Sequence, residues 1–259
     1  MTDTTTAQPK APLGVGSIIG ESFSILFSKF LQVVLIAFGP ALIGLVLSGM
    51  LIGFGAVAGS AAPDFSGAGG GVAIFLTIII QFIVYAVTTA LLVQLAYDAK
   101  LGRPVQIGKY IGPAFSAVLP IIILGLASGI LIMIGLALFI VPGLWIYAVF
   151  SVMAPAIVIE RAGFGALGRS ASLTKEYRWP IVGAILLIIL ISFIINLVAG
   201  LIIGLLSAVI GSVVIDIILS AALSTIGAGL GSILVSLLYA RLREIKEGVS
   251  VDQIASVFD

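Results

Sequence analysis

The chain has no cysteine and no histidine. The first absence excludes disulfides and thiol nucleophiles. The second excludes imidazole general bases and haem–histidine ligation, and together they exclude zinc sites of the usual kind. A metal could be held only by carboxylates, carbonyls and hydroxyls. No cofactor is expected from such a composition, and no enzyme activity.

Charge is scarce too. Asp, Glu, Lys and Arg make up 9% of the 259 residues, against about 25% in a soluble domain. So little polar surface cannot cover a water-soluble globule. The net charge of +1 sets up no field that would draw nucleic acid. No cleavable leader is expected. Residues 1–12 are polar and Thr-rich, and no short apolar run with an A-x-A-like site follows them. They read as a disordered tail ahead of an uncleaved first helix.

What the chain does have is long apolar runs. It is 61% hydrophobic, with mean hydropathy +1.34. A bilayer core about 30 Å thick needs roughly 20 apolar residues per helix. Spans are expected at about 30–57, 72–97, 114–137, 143–159, 180–206 and 212–240. The third and fourth are divided at Pro142-Gly143, the natural break in the run 113–159. Pro180 falls in the first turn of the fifth, where a missing N–H costs nothing.

The twelve Lys and Arg residues occupy alternate gaps between these runs. Lys10 and Lys29 precede or open the first; Lys100, Arg103 and Lys109 follow the second. Arg161, Arg169, Lys175 and Arg178 follow the fourth; Arg241, Arg243 and Lys246 follow the last. The gaps at 59–72, 138–143 and 206–213 hold none. Basic residues collect on the cytoplasmic side of a membrane, because carrying them across runs against the potential. The expected fold is therefore all-α: a polytopic bundle with six transmembrane helices over residues 13–240. Both termini are expected to be cytoplasmic, with residues 241–259 as a C-terminal tail. The expected location is a bacterial inner membrane.

Two polar-apolar stretches are too mixed to span. Residues 13–28 suit an amphipathic helix in the interface, and so do parts of 160–179. Gly20-x-Ser22-x-Ser24 and Gly168-x-Ser170-x-Ser172 hint at a weak internal repeat.

Few polar groups lie inside the spans. Gln81, Tyr85 and Thr88 share a face of the second. Gln81, Asn196 and Asp216 all fall in the outer half of the bilayer and could form one polar cluster. Asp216 is either a functional group, as an intramembrane carboxylate is by default, or a helix-start cap. Ser220 continues its face. Gly227-x-x-x-Gly231 in the last span and Gly200 and Gly204 in the fifth have the small-residue spacing of close helix contact. These two faces are expected to pack together. The alternative is that they line a cavity. No span centre carries Lys, Arg, Glu or Asp, which argues against ion-coupled transport.

The segment after the fourth span is the most polar. Glu160 is placed to pair with Arg161 or Arg169, while Lys175, Arg178 and Trp179 suit an anionic headgroup layer. The run carrying Pro142, Gly143, Pro155, Ala156, Glu160, Gly163, Ala166, Leu167, Arg169, Ser170, Leu173, Thr174 and Trp179 resembles a hallmark of a bacterial membrane family. That family is named for the membrane domain of glycerophosphoryl diester phosphodiesterase. The resemblance covers about 40 residues and implies a six-helix inner-membrane fold. It does not imply catalysis. The family's phosphodiesterase chemistry belongs to a separate barrel of about 250 residues that uses histidine, and these 259 residues contain neither.

The first functional expectation is a non-catalytic scaffold or accessory subunit. Its partners would be membrane lipids, and other membrane proteins or a second copy. The alternative is a lipid or small-solute transporter using the region of Gln81, Asn196 and Asp216. The two differ at Asn196, which would be bonded in a dry seam in the first case and border a cavity in the second.

Overall fold

The computed structural model describes residues 11–57, 62, 69–210 and 213–248, with side chains omitted at 207–218, 220–222 and 224. Residues 1–10 and 249–259 of the expected tails, and most of the 59–71 loop, lie outside these residues. So do the side chains of Asp216 and Ser220. Residues 241–247 of the expected C-terminal tail continue the last helix. Among the described residues the chain is all-helical. In order the helices are α1 (Val15–Ser28), α2 (Phe30–Ile52), α3 (Phe54–Val57), α4 (Gly70–Lys100) and α5 (Ile107–Leu138). Then come α6 (Ile140–Phe150), α7 (Met153–Ile159), α8 (Ala166–Thr174), α9 (Arg178–Ile210) and α10 (Val213–Glu247).

Six segments are long and apolar enough to cross a membrane: Phe30–Ile52, Gly70–Lys100, Ile107–Leu138, Ile140–Ile159, Arg178–Leu206 and Thr225–Glu247. Helices suit this solvent because they satisfy their backbone polar groups internally. The apolar side chains that face outward, such as Phe75, Phe115, Met133 and Leu205, then face lipid.

Several boundaries differ from expectation, each for a local reason. The first span stops at Ile52, because Gly53 takes a left-handed turn with φ 89°. The third span starts at Ile107 rather than 114 and runs through Pro113 and Pro120. Proline loses one backbone bond, but a helix packed among other helices tolerates that. The α5–α6 corner lies at Phe139, which is extended (φ −158°, ψ 151°). Pro142 and Gly143 sit inside α6 instead of dividing the spans, Pro142 within its first turn, where an N–H has no partner anyway. The fourth span is two helices. Pro155 cannot donate to the Ser151 carbonyl and its ring crowds it, so the chain breaks at Ser151–Val152 before α7. The last helix runs to Glu247.

The core sits at one end of the bundle. Buried side chains cluster in Ile18–Leu26 of α1, Ala86–Tyr97 of α4, Tyr110–Leu124 of α5, α7, Ile181–Ile188 of α9 and Leu230–Leu242 of α10. These are the basic ends of the helices. The other halves are less covered: between residues 70 and 85 of α4 no side chain is buried. The best-covered window, in α10, is 61% buried, and the least, in α4, is 6%.

Glycines bring the backbones together at a few points. A Cβ on Gly143 would lie 2.7 Å from the Leu136 backbone nitrogen, and one on Gly135 would lie 2.9 Å from the Gly143 Cα. This pair closes the α5–α6 hairpin. Gly44 and Gly229 similarly meet Val84 and Val33.

Candidate functional site: a charged knot and a lateral groove

The basic end is tied by ion pairs between elements far apart in sequence. Glu21 of α1 accepts from Lys100 of α4 at 2.7 and 2.8 Å. The Tyr110 hydroxyl of α5 donates to Asp98 of α4 at 2.7 Å. Arg241 donates to the Pro12 carbonyl, and Tyr177 to the Ala11 carbonyl. The cations that alternate along the sequence thus meet at one end of the fold.

The densest group surrounds Glu160. It lies just past the end of α7, where Arg161 turns the chain with φ 55° and presents the carboxylate to α8 and α10. Arg169 of α8 donates to it from Nε at 2.7 Å and from Nη2 at 2.6 Å. Of the two expected partners, Arg169 makes this fork. The Tyr239 hydroxyl of α10 donates at 2.6 Å, and Arg243 Nε stands 3.4 Å away. Glu247 closes the knot, accepting from Arg169 and, at 2.8 Å, from Arg243. Burial pushes the Glu160 carboxyl up, but the hydrogen bonds and charges of Arg169, Tyr239 and Arg243 outweigh it. They hold it below the usual carboxylate range. Hydrogen bonding to Glu160 makes Arg169 hold its proton more tightly than usual.

A second set of bonds fixes α8 beneath the broken fourth span. The last carbonyls of a helix lack intrahelical partners. Here the buried Ser170 hydroxyl donates to the Val149 carbonyl at 2.7 Å, and Thr174 shares its hydroxyl between Val149 and Ser170. Pro155, Glu160, Arg169, Ser170 and Thr174 are therefore one structural unit. Proline breaks the span, the hydroxyls take up a carbonyl near the break, and the ion pair clamps the helix that carries them. Trp179 stands outside it, 63% exposed at the start of α9.

Among the described residues, Gln81 and Asn196 do not meet; the Asp216 and Ser220 side chains lie outside them. Gln81 donates to the buried Ser48 hydroxyl of α2 at 3.2 Å. Tyr85 is exposed on the apolar surface, and Thr88 has a buried hydroxyl with no partner among the described residues. Asn196 donates to the Ser192 carbonyl of its own helix at 2.7 Å. No hydrogen bond joins Gln81 to Asn196 among the described residues.

Among the described residues, the glycines of α9 and α10 do not meet one another. Gly200 and Gly204 meet nothing within 4 Å among the described residues. A Cβ on Gly231 would also meet nothing, and one on Gly227 only the Asn196 amide at 3.9 Å. Instead Gly227 and Gly231 floor a lateral groove of about 440 Å³ between α6, α9 and α10. Tyr147, Ser192, Asn196 and several isoleucines line it. Sequence spacing finds glycines that permit close approach, but not whether a neighbour accepts. Here Ile188, Ile189 and Phe193 of α9 line the space beside Gly227 and Gly231.

No family model, curated protein or solved structure matches the chain. The arrangement is therefore read from its own geometry. It is a rigid charged clamp at one end, apolar helix faces at the other, and a groove opening sideways. Among the described residues no three His, Cys, Asp or Glu side chains converge as a metal site would require.

Proposed function

We propose that this is a non-catalytic integral protein of the bacterial inner membrane that organises or supports other membrane components, as a scaffold or accessory subunit. It crosses six times with both termini cytoplasmic. The observation that carries the reading is the division of labour between the two ends. At the basic end Glu160, Arg169, Tyr239, Arg243 and Glu247 satisfy one another, so their charge is used to hold elements together. At the far end α4 presents Phe75, Ile78 and Phe82 uncovered. That is surface available to neighbouring membrane helices, whose association relies on packing. The resemblance of the Pro142–Trp179 segment to a membrane domain without catalytic residues points the same way.

The test is photo-crosslinking from position 78 in native membranes, with mass spectrometry of the products. Adducts with a defined protein, or with a second copy, are expected. Adducts with lipid alone would overturn the scaffold reading. For topology, thiols introduced at 105 and 161 should be shielded from an impermeant reagent in intact cells, and one at 62 should label. The reverse pattern would refute the orientation.

One observation favours a second reading, a lipid or small-solute transporter: Asn196 borders a cavity rather than a closed seam. Flux of a fluorescent lipid across vesicles containing the purified chain, against empty vesicles, distinguishes the two.

A further inference from the structure

The geometry points to a resident anionic phospholipid, with its phosphate on Arg178 and one acyl chain in the groove between α6, α9 and α10. The inference rests on neither functional reading, since a bound lipid would serve a scaffold as well as a carrier.

Arg178 is the first residue of α9. Its guanidinium lies 4.3 Å from the centre of the Trp145 ring. Its one hydrogen bond among the described residues is a long one, 3.4 Å to the Ala171 carbonyl. Its Nε–H is buried with no acceptor. No carboxylate among the described residues reaches it, although Glu160, Glu176 and Glu247 all take other cations at this end. A planar fork of donors with no anion of its own is suited to a phosphate.

The depth is right for a headgroup. The chain has two tryptophans. One stacks against Arg178, and the other, Trp179, follows it and is exposed. Tryptophan collects at the membrane–water interface, so both mark Arg178 as lying at headgroup level.

The groove begins at Ile185, about two turns further along the same helix, and an acyl chain from Arg178 would reach it over the buried Ile181 and Val182. Ile185 and Ser192 follow Arg178 by seven and fourteen residues, which returns to one face. Arg178 to Ser192 spans about 21 Å of helix axis, enough for a headgroup and the roughly 15 Å of hydrocarbon in one leaflet. The lining is apolar, with Ile185, Ile188, Ile189 and Leu234, and the floor is Gly227 and Gly231. A partner helix would fit such a groove without needing a cation at its end. A phospholipid accounts for both the apolar trough and the unpaired guanidinium.

The test is native mass spectrometry of the full chain in mild detergent, titrated with dioleoyl-phosphatidylglycerol or dioleoyl-phosphatidylcholine. These have the same acyl chains and differ in headgroup charge. The wild type should retain one phosphatidylglycerol in preference to phosphatidylcholine. R178Q should weaken phosphatidylglycerol about tenfold or more, the scale of one charge-assisted bond, and erase the preference. G231L, which fills the floor at a place where no neighbour stands within 4 Å, should weaken both lipids and keep the preference. G200L, outside the groove, should change neither. Equal binding of the two lipids by the wild type would overturn the inference. So would unaltered binding by R178Q or by G231L, or a loss with G200L as large as with G231L.

Discussion

Replacing Glu160 by glutamine is the sharpest test of the clamp. The carboxylate accepts three hydrogen bonds, two from Arg169 and one from Tyr239. Glutamine keeps one oxygen, which can accept two, and turns an amide N–H towards the remaining donor. One bond is lost outright, and the charge that strengthened the others disappears. A hydrogen bond to a charged group contributes about 1.5–3 kcal/mol. The pair is neither fully buried nor exposed, with side-chain exposures of 19% and 28%. That places the cost between the roughly 0–1 kcal/mol of a surface pair and the roughly 3–5 kcal/mol of a buried one. We expect about 2 kcal/mol, hence a fall of about 4–8 °C in Tm for a chain of this size. The assay is the melt of the detergent-solubilised protein, followed by tryptophan fluorescence. A cycle with Arg169→Gln should give a coupling of about 1–2 kcal/mol, within the range for residues in contact. A Tm shift under about 1 °C, or additive single variants, would refute the reasoning.

Three further outcomes follow from the same geometry. The Glu160 carboxyl is held low in the folded chain. Its stabilisation is therefore complete above the unfolded value of about 4.3 and is lost as pH falls through the lower folded value. Melts from pH 7 to 3 should show an acid drop in the wild type that is smaller in E160Q. Gly143→Ala places a methyl 2.4 Å from Leu136 Cγ and should cost about 1–3 kcal/mol. Gly200→Ala meets no neighbour among the described residues and should gain up to about 1 kcal/mol from helix propensity, so the same melts should separate the two in sign. Ser170→Ala strips the Val149 carbonyl of its 2.7 Å donor and should cost about 1–3 kcal/mol, whereas Ser172→Ala, on the exposed face of α8, should be nearly neutral.

The solvent and the number of crossings are written in one dimension. Apolar run length is set by bilayer thickness, and each of the six runs meets that requirement by its own composition. The gathering of cations at one end was legible for the same reason, since alternate ends of successive antiparallel spans must coincide. Boundaries were less legible where proline and glycine carry two meanings. The expected third span begins after Pro113, which lies within α5, and the expected fourth span runs through Pro155, where the chain breaks. Both lack the same N–H; what differs is the surroundings. Near Pro155, the hydroxyls of α8 are at hand to take up a carbonyl from the end of α6.

Glu160 was expected to pair with Arg161 or Arg169, both nearby in the chain, and the fold selects Arg169. Tyr239 and Glu247 could not be added to this pair from spacing, because they lie 79 and 78 residues from their partners. Only the packing of α10 against α7 and α8 brings them in. The glycines of α9 and α10 show the same limit. Their spacing makes close contact possible, but Gly227 and Gly231 face a groove that isoleucine and phenylalanine side chains also line. Sequence alone thus determined the six runs long and apolar enough to cross a membrane and the end of the fold at which charge collects, because both follow from local composition. Tertiary structure decided which charges are paired and which polar groups stand alone, because those depend on the positions of side chains from distant helices.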